Sequence, residues 1–161
     1  MSDYDFEASV GYWITLTSHY YQQQLHEELA PIGITLRQFQ VMAWLMVDGE
    51  LAPGQLAERL MVEPPTLVGI LDRMQREGWL ERRCCADDRR RKLVVLKPGA
   101  RRVWSKVVQR LMTMRERATC GMTEQEVATL NQLLKRVQEN LVAANARPLP
   151  QLASLPENPA P

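Results

Sequence analysis

The chain has 161 residues, 45% of them apolar, and a formal net charge of +1. That is enough for one domain with a buried core plus appendages, and too little for two large domains. Apolar runs are short and broken by charge, and Asp3, Asp5 and Glu7 have the wrong sign for a targeting segment, so the sequence reads as soluble and cytoplasmic, with no membrane association. Three cysteines, two of them adjacent, give neither a disulfide framework nor a zinc spacing; a reducing compartment, no metal and no cofactor are expected.

Phe6, Val10, Trp13, Ile14, Thr17, Tyr20 and Tyr21 recur at three- and four-residue spacing, which predicts a first long helix over residues 6–29, ended by Pro31 and Gly33. Thr35 opens a capping box, T-L-R-Q, in which its hydroxyl and the Gln38 side chain satisfy orphan amides, and Leu36, Phe39, Ala43 and Met46 share one face of a second helix. Pro53 suits the first turn of a short third helix, P-G-Q-L-A-E-R-L, with Leu56, Ala57 and Leu60 inward. After a bend at Met61–Glu63, Pro64 and Pro65 reopen a helix, because a missing N–H costs nothing in a first turn. Its buried stripe is Leu67, Ile70, Leu71 and Met74, and Gly78 caps it. The opposite face, Thr66, Gly69, Arg73 and Arg76, is small or basic.

W-L-E-R-R-C (79–84) and K-L-V-V-L-K (92–97) predict two strands of a hairpin whose connecting stretch, C-C-A-D-D-R-R-R-K (84–92), is dense in charge. Pro98 and Gly99 stop the hairpin. A long helix follows to about Cys120, with Val103, Trp104, Val107, Val108 and Leu111 inward, and its M-T-M stretch (112–114) reads as packing. Thr123 opens another capping box, T-E-Q-E, and Val127, Leu130, Leu134, Val137 and Leu141 carry the last helix to about Ala146. The segment 147–161 holds five prolines and no period, and is predicted to be disordered.

Charge is unevenly spread. From Asp72 to Arg110 thirteen Lys/Arg face five Asp/Glu, a balance of +8, and the rest of the chain carries −7. Such a local field is a footprint for a polyanion. Helix, tight bend, helix and charged hairpin is the layout of a winged helix-turn-helix, whose second helix fits the major groove while the hairpin reaches the flanking backbone or minor groove. The candidate DNA contacts are therefore Pro65, Thr66, Gly69, Arg73 and Arg76 on the helix and Arg89, Arg90 and Arg91 on the hairpin. Thr66 can meet a base or thymine methyl, or can serve the helix start alone. Asp88 beside Arg90 would pin the loop by a local ion pair.

The same residues resemble the MarR regulators, in their SlyA-like branch. The matching segments are L-R-Q-F (36–39), Q-L-A-E-R-L (55–60), V-E-P-P-T-L-V-G-I-L-D-R-M (62–74), E-G-W-L-E-R-R (77–83), C-A-D-D-R-R (85–90) and L-K-P-G-A-R (96–101). The resemblance implies a mainly α fold: a winged helix-turn-helix with a small β-hairpin wing and long N- and C-terminal dimerisation helices, intertwined in a homodimer. On that basis residues 1–34 form the N-terminal dimerisation helix, 35–98 the DNA-binding lobe, 99–146 the C-terminal dimerisation helices and 147–161 a disordered tail. It further implies repression, or antagonism of other repressors, at pseudo-palindromic operators on double-stranded DNA, relieved by small aromatic acids or by oxidation. The wing signature D-x-R selects Arg90 for the groove, leaves Arg89 and Arg91 to phosphates, and pairs Arg82 or Arg83 with Asp88. Two positions depart from the family pattern. Gly69 stands where relatives carry an arginine for a guanine, and Leu96–Lys97 replaces Leu-Thr.

Trp13, Tyr20, Trp44 and Trp104 can line an aromatic-acid pocket between dimerisation helices and lobe, or can be core. Cys84 and Cys85 sit among cations that favour a thiolate, which admits an oxidation switch, although adjacent cysteines rarely bridge each other. Cys120 reads as packing. His19 and His26 have no metal-ligand partner, and a core or interface role is expected for both. No nucleophile–base pair, glycine-rich phosphate loop or paired carboxylates support an enzyme; a winged helix used only as a protein–protein adaptor is the other class the sequence allows.

Overall fold

The computed structural model describes residues 5–85 and 92–144. Its first helix, α1 (Val10–Leu29), begins later than the periodicity from Phe6 suggests. The Asp5 carboxylate accepts the Glu7 and Ala8 amides at 3.0 and 3.2 Å and turns the chain, and Ser9 then caps the helix by accepting the Tyr12 N–H at 3.4 Å. A short 3₁₀ turn over Ala30–Ile32 and a left-handed Gly33 lead into α2 (Leu36–Asp48). The capping box forms as its sequence dictates: the Thr35 N–H donates to Gln38 Oε1 at 2.9 Å, and the Gln38 N–H donates to Thr35 Oγ1 at 3.2 Å. The inward face of α2 is rotated from the expected one. Val41, Met42, Trp44 and Leu45 are buried, Leu36, Phe39 and Ala43 are half-buried, and Met46 is exposed, because α2 packs against neighbours on more than one side.

Prolines open both α3 (Pro53–Leu60) and α4 (Pro64–Arg76). Between them Met61 bends the chain with φ of 49°, the one non-glycine residue with positive φ among the described residues. At the far end of α4, Gly78 takes φ of 74°; its N–H donates to the Gln75 carbonyl and that of Trp79 to the Met74 carbonyl, both at 3.0 Å. This pair of bonds satisfies the last helical carbonyls and turns the chain into the hairpin.

Strands β1 (Leu80–Cys84) and β2 (Lys92–Leu96) pair antiparallel, with Leu80 opposite Leu96 and Cys84 opposite Lys92. A third partner was not foreseen from sequence. Leu51, between α2 and α3, exchanges backbone hydrogen bonds with Val94 at 3.3 and 2.8 Å, and both side chains are buried. A single bridged residue has no period to read.

Helix α5 (Pro98–Ala118) ends short of Cys120, and α6 (Glu124–Ala144) follows a second reciprocal cap. The Glu126 carboxylate accepts the Thr123 N–H and hydroxyl at 2.7 and 2.8 Å, and these two bonds hold its pKa below the ordinary glutamate value. Leu29, Val41, Met42, Leu56, Leu67, Leu71, Met74, Leu80, Val94 and Val107 form the deepest part of one core; burying each contributes about 1.5–3 kcal/mol. Glu28 ties α1 to α5, accepting from Arg110 at 3.4 Å and from Arg117.

The terminal helices carry apolar residues that the protomer does not cover. No residue of α6 is buried, and Leu130, Leu133, Leu134 and Leu141 are exposed, as are Val10, Trp13 and Tyr20 of α1. No helix among the described residues is long and apolar enough to cross a membrane. The hairpin-tip residues Asp88, Arg89, Arg90 and Arg91, and the segment 147–161, lie outside the described residues.

Candidate nucleic-acid interface

Because α4 buries Leu67, Leu71 and Met74, its 3.6-residue period carries Thr66, Gly69, Arg73 and Arg76 to the opposite side, where all four are exposed. Pro65 is exposed in the first turn. An added Cβ on Gly69 would meet nothing within 4 Å, so the protomer's own packing does not require glycine there. No ion pair to Arg73 or Arg76 forms among the described residues, which leaves two planar forks free for phosphate or base edges. Thr66, Gly69 and Arg73 meet Thr35 and Gln38 of α2 across a cleft of about 260 Å³.

The hairpin is anchored on both faces, since successive strand residues point to opposite sides. Arg82, expected beside Asp88, turns to α4: it donates to Asp72 Oδ1 at 2.6 Å, to Gln75 Oε1 at 3.3 Å and to the Val68 carbonyl at 3.5 Å. Arg83 donates on the other face to Glu50, its Nε lying 3.3 Å from Oε2. The base of the hairpin is thereby fixed to the helix whose exposed side it flanks. Sequence reasoning missed Asp72, Gln75 and Glu50 as partners. The alternation Arg82–Arg83 signals anchors on two faces, but nothing local says which carboxylates supply them.

The four aromatic residues proposed for one pocket do not come together. Trp44 is buried in the lobe, with the Arg59 guanidinium 5.5 Å over its ring, and Arg59 is held by Asp48 at 2.7 Å. Trp104 stacks on Phe39 with centroids 6.2 Å apart. Trp13 is 52% exposed and donates its Nε1–H to the Glu7 carbonyl at 2.8 Å. Tyr20 lines an open cavity of about 300 Å³ between α1 and α5, shared with Thr17, Tyr21, Glu28, Met114 and Arg117. Cys84, Cys85 and Cys120 are all free thiols; Cys84 and Cys120 are exposed and Cys85 is half-buried. His19 and His26 are exposed in the protomer, and no cluster of three metal-ligating side chains forms among the described residues.

The MarR family model matches residues 34–92, the stretch from the start of α2 to the first residue of β2. The multiple antibiotic resistance protein MarR of Salmonella typhimurium is 32% identical over 129 residues, which cover 80% of this chain and 90% of that protein. The chain belongs to the MarR family. A crystal structure of wild-type apo MarR from E. coli matches with a TM-score of 0.73 at 32% identity, covering 80% of this chain and 96% of that one. A mutant MarR from E. coli complexed with operator DNA matches with a TM-score of 0.72 at 30% identity, covering 85% and 99%. The matched residues contain α2, α3, α4 and β1, and the exposed stripe of α4 lies wholly within them.

Proposed function

We propose that this MarR-family transcriptional regulator binds a pseudo-palindromic operator as a homodimer, with α4 in the major groove and the hairpin against the flanking backbone or minor groove. The observation that carries this reading is the exposed Thr66, Gly69, Arg73, Arg76 stripe, two of whose members are cations with no ion pair among the described residues. The +8 balance from Asp72 to Arg110 supplies the surrounding field. Pro65 and Thr66 would approach the bases, Arg90 the minor groove, and Arg89 and Arg91 phosphates. Repression then follows from occupying a promoter. The apolar residues left exposed on α1 and α6 support a second copy of the chain as their cover, since contiguous apolar surface left on a monomer marks association.

A small aromatic acid is the effector class that the cavity beside Tyr20 favours. Tyr20 and Tyr21 line it beside Arg117 and Glu28, and Arg110, outside the lining, is a second cation on the Glu28 carboxylate. Such a ligand shifts DNA affinity only through its different affinity for the two lobe arrangements. Placement in the SlyA-like branch rests on the motif segments, whereas the relatives matched above are MarR proteins. Oxidation at Cys84 and Cys85 has the weaker support of one exposed thiol opposite Lys92.

Selection of bound sites from random-sequence duplex DNA tests the reading. The expected product is an inverted repeat whose half-site centres lie about one helical turn, ~34–36 Å, apart. Recovery of no enriched sequence, or sedimentation as a monomer with and without DNA, would overturn it.

A further inference from the structure

Gln38 is the one buried polar residue among the described residues, 2% exposed, and its amide makes two contacts of different kinds. Oε1 accepts the Thr35 N–H at 2.9 Å and completes the cap of α2. Nε2 donates to Glu77 Oε2 at 3.3 Å. The cap needs only an acceptor, and glutamate serves that position as well as glutamine. Glutamine adds N–H donors that a buried side chain must satisfy, and Glu77 is the acceptor. Glu77 is also the C-cap of α4, at the elbow where the chain turns through Gly78 toward β1.

Glu77 stands four residues after Arg73, the spacing at which a carboxylate and a guanidinium pair along a helix. No such pair forms here, and the Glu77 carboxylate is engaged from the α2 side. The bond thus has two geometric consequences. It fixes the C-terminal end of α4 against the start of α2, and it engages the acid four residues on from Arg73, while the adjacent Asp72 is held by Arg82.

We propose that the Gln38–Glu77 hydrogen bond is a strut that positions α4 for base reading and keeps Arg73 available to DNA, which makes Gln38 and Glu77 positioning residues for sequence discrimination. This rests on the DNA-binding reading above. Phosphate attraction tolerates a small tilt of a helix, whereas base-edge hydrogen bonds do not. Breaking the strut should therefore reduce the preference for a selected site more than it reduces binding to duplex DNA in general.

The test uses the full chain and two duplexes, one selected by the wild type from random DNA and one of shuffled sequence, with the affinity ratio as readout. Gln38→Glu keeps the acceptor for the Thr35 N–H but places a carboxylate against Glu77, and should lower the ratio roughly five- to tenfold. Adding Glu77→Gln rebuilds the bond with reversed polarity and should restore the ratio to within about twofold. Glu77→Ala, at an exposed position that should fold whatever Gln38→Glu does, should also lower the ratio, while Glu77→Gln alone should keep it. An unchanged ratio in Glu77→Ala, or no rescue by the double variant, would overturn the strut even if melting temperatures fall. If the wild type itself shows no preference for any duplex, the DNA-binding reading fails and the strut with it; a wild-type preference with inert variants removes the strut alone.

Discussion

Replacing Gly69 by alanine tests the recognition helix both free and on DNA. In the free protein an added Cβ meets nothing within 4 Å, and Gly69 is not among the glycines with positive φ. The substitution therefore gains helix propensity with no opposing packing cost, about 1 kcal/mol. For a chain of this length that raises Tm by roughly 2–4 °C, measured by thermal unfolding at one fixed protomer concentration because dimerisation makes Tm concentration-dependent. Binding of a selected duplex, followed by fluorescence anisotropy, then reads the DNA side. If the groove has room, affinity for Gly69→Ala stays within about twofold, and Gly69→Arg adds a guanine preference at one position per half-site, of about 1–3 kcal/mol. If the backbone already lies against the bases, both substitutions weaken binding and the arginine abolishes it. An unchanged or lowered Tm for Gly69→Ala would contradict a regular helix with an open face. Gly69→Arg with unchanged affinity and unchanged preference would mean that this face does not meet the bases.

Met61→Gly should be neutral to stabilising, by up to about 1 kcal/mol: Met61 is 77% exposed at φ of 49°, a conformation costing an L-residue about 1–2 kcal/mol, offset by the larger unfolded-state entropy of glycine; a clear loss of Tm would refute the strained turn. Arg82→Ala should cost about 1 kcal/mol, since Asp72 is half exposed and the pair is screened, and should speed amide exchange in β1 and β2; exchange confined to the wild-type rate would show that the clamp to α4 is inert. The lowered Glu126 pKa gives stability that is present above the unfolded-state glutamate value, about 4.3, and lost as pH falls through the still lower folded value. The start of α6 should then fray on acidification, seen as loss of Thr123 amide protection, and Glu126→Gln should flatten that dependence.

Elements whose signals are local were legible in the sequence. The capping boxes at Thr35 and Thr123, the prolines opening α3 and α4, and Gly78 after α4 depend on bonds within a few residues, and the structure places each where its chemistry predicts. The face of α4 was legible too: Leu67, Leu71 and Met74 of the expected stripe are buried and Ile70 is half-buried. What failed were inferences about distant partners. Leu51 on Val94, Arg82 on Asp72, Arg83 on Glu50 and Gln38 on Glu77 join residues ten or more positions apart, and no period marks them. Of the two readings open for the aromatics, Trp44 lies in the core and Trp104 packs against it; periodicity says that such residues prefer apolar surroundings, without saying that they share them. Apolar residues on α1 and α6 were legible as a periodic stripe, and the protomer leaves much of that stripe exposed.

The central claim is that this fold presents α4 and its hairpin to duplex DNA, and the most direct test is the salt dependence of that binding. Each phosphate neutralised contributes about 0.9 to the slope of log affinity against log salt. Two protomers, each offering Arg73, Arg76 and the hairpin cations, predict a slope of roughly −4 or steeper. Absence of duplex binding at low salt, or a slope near zero, would contradict the account.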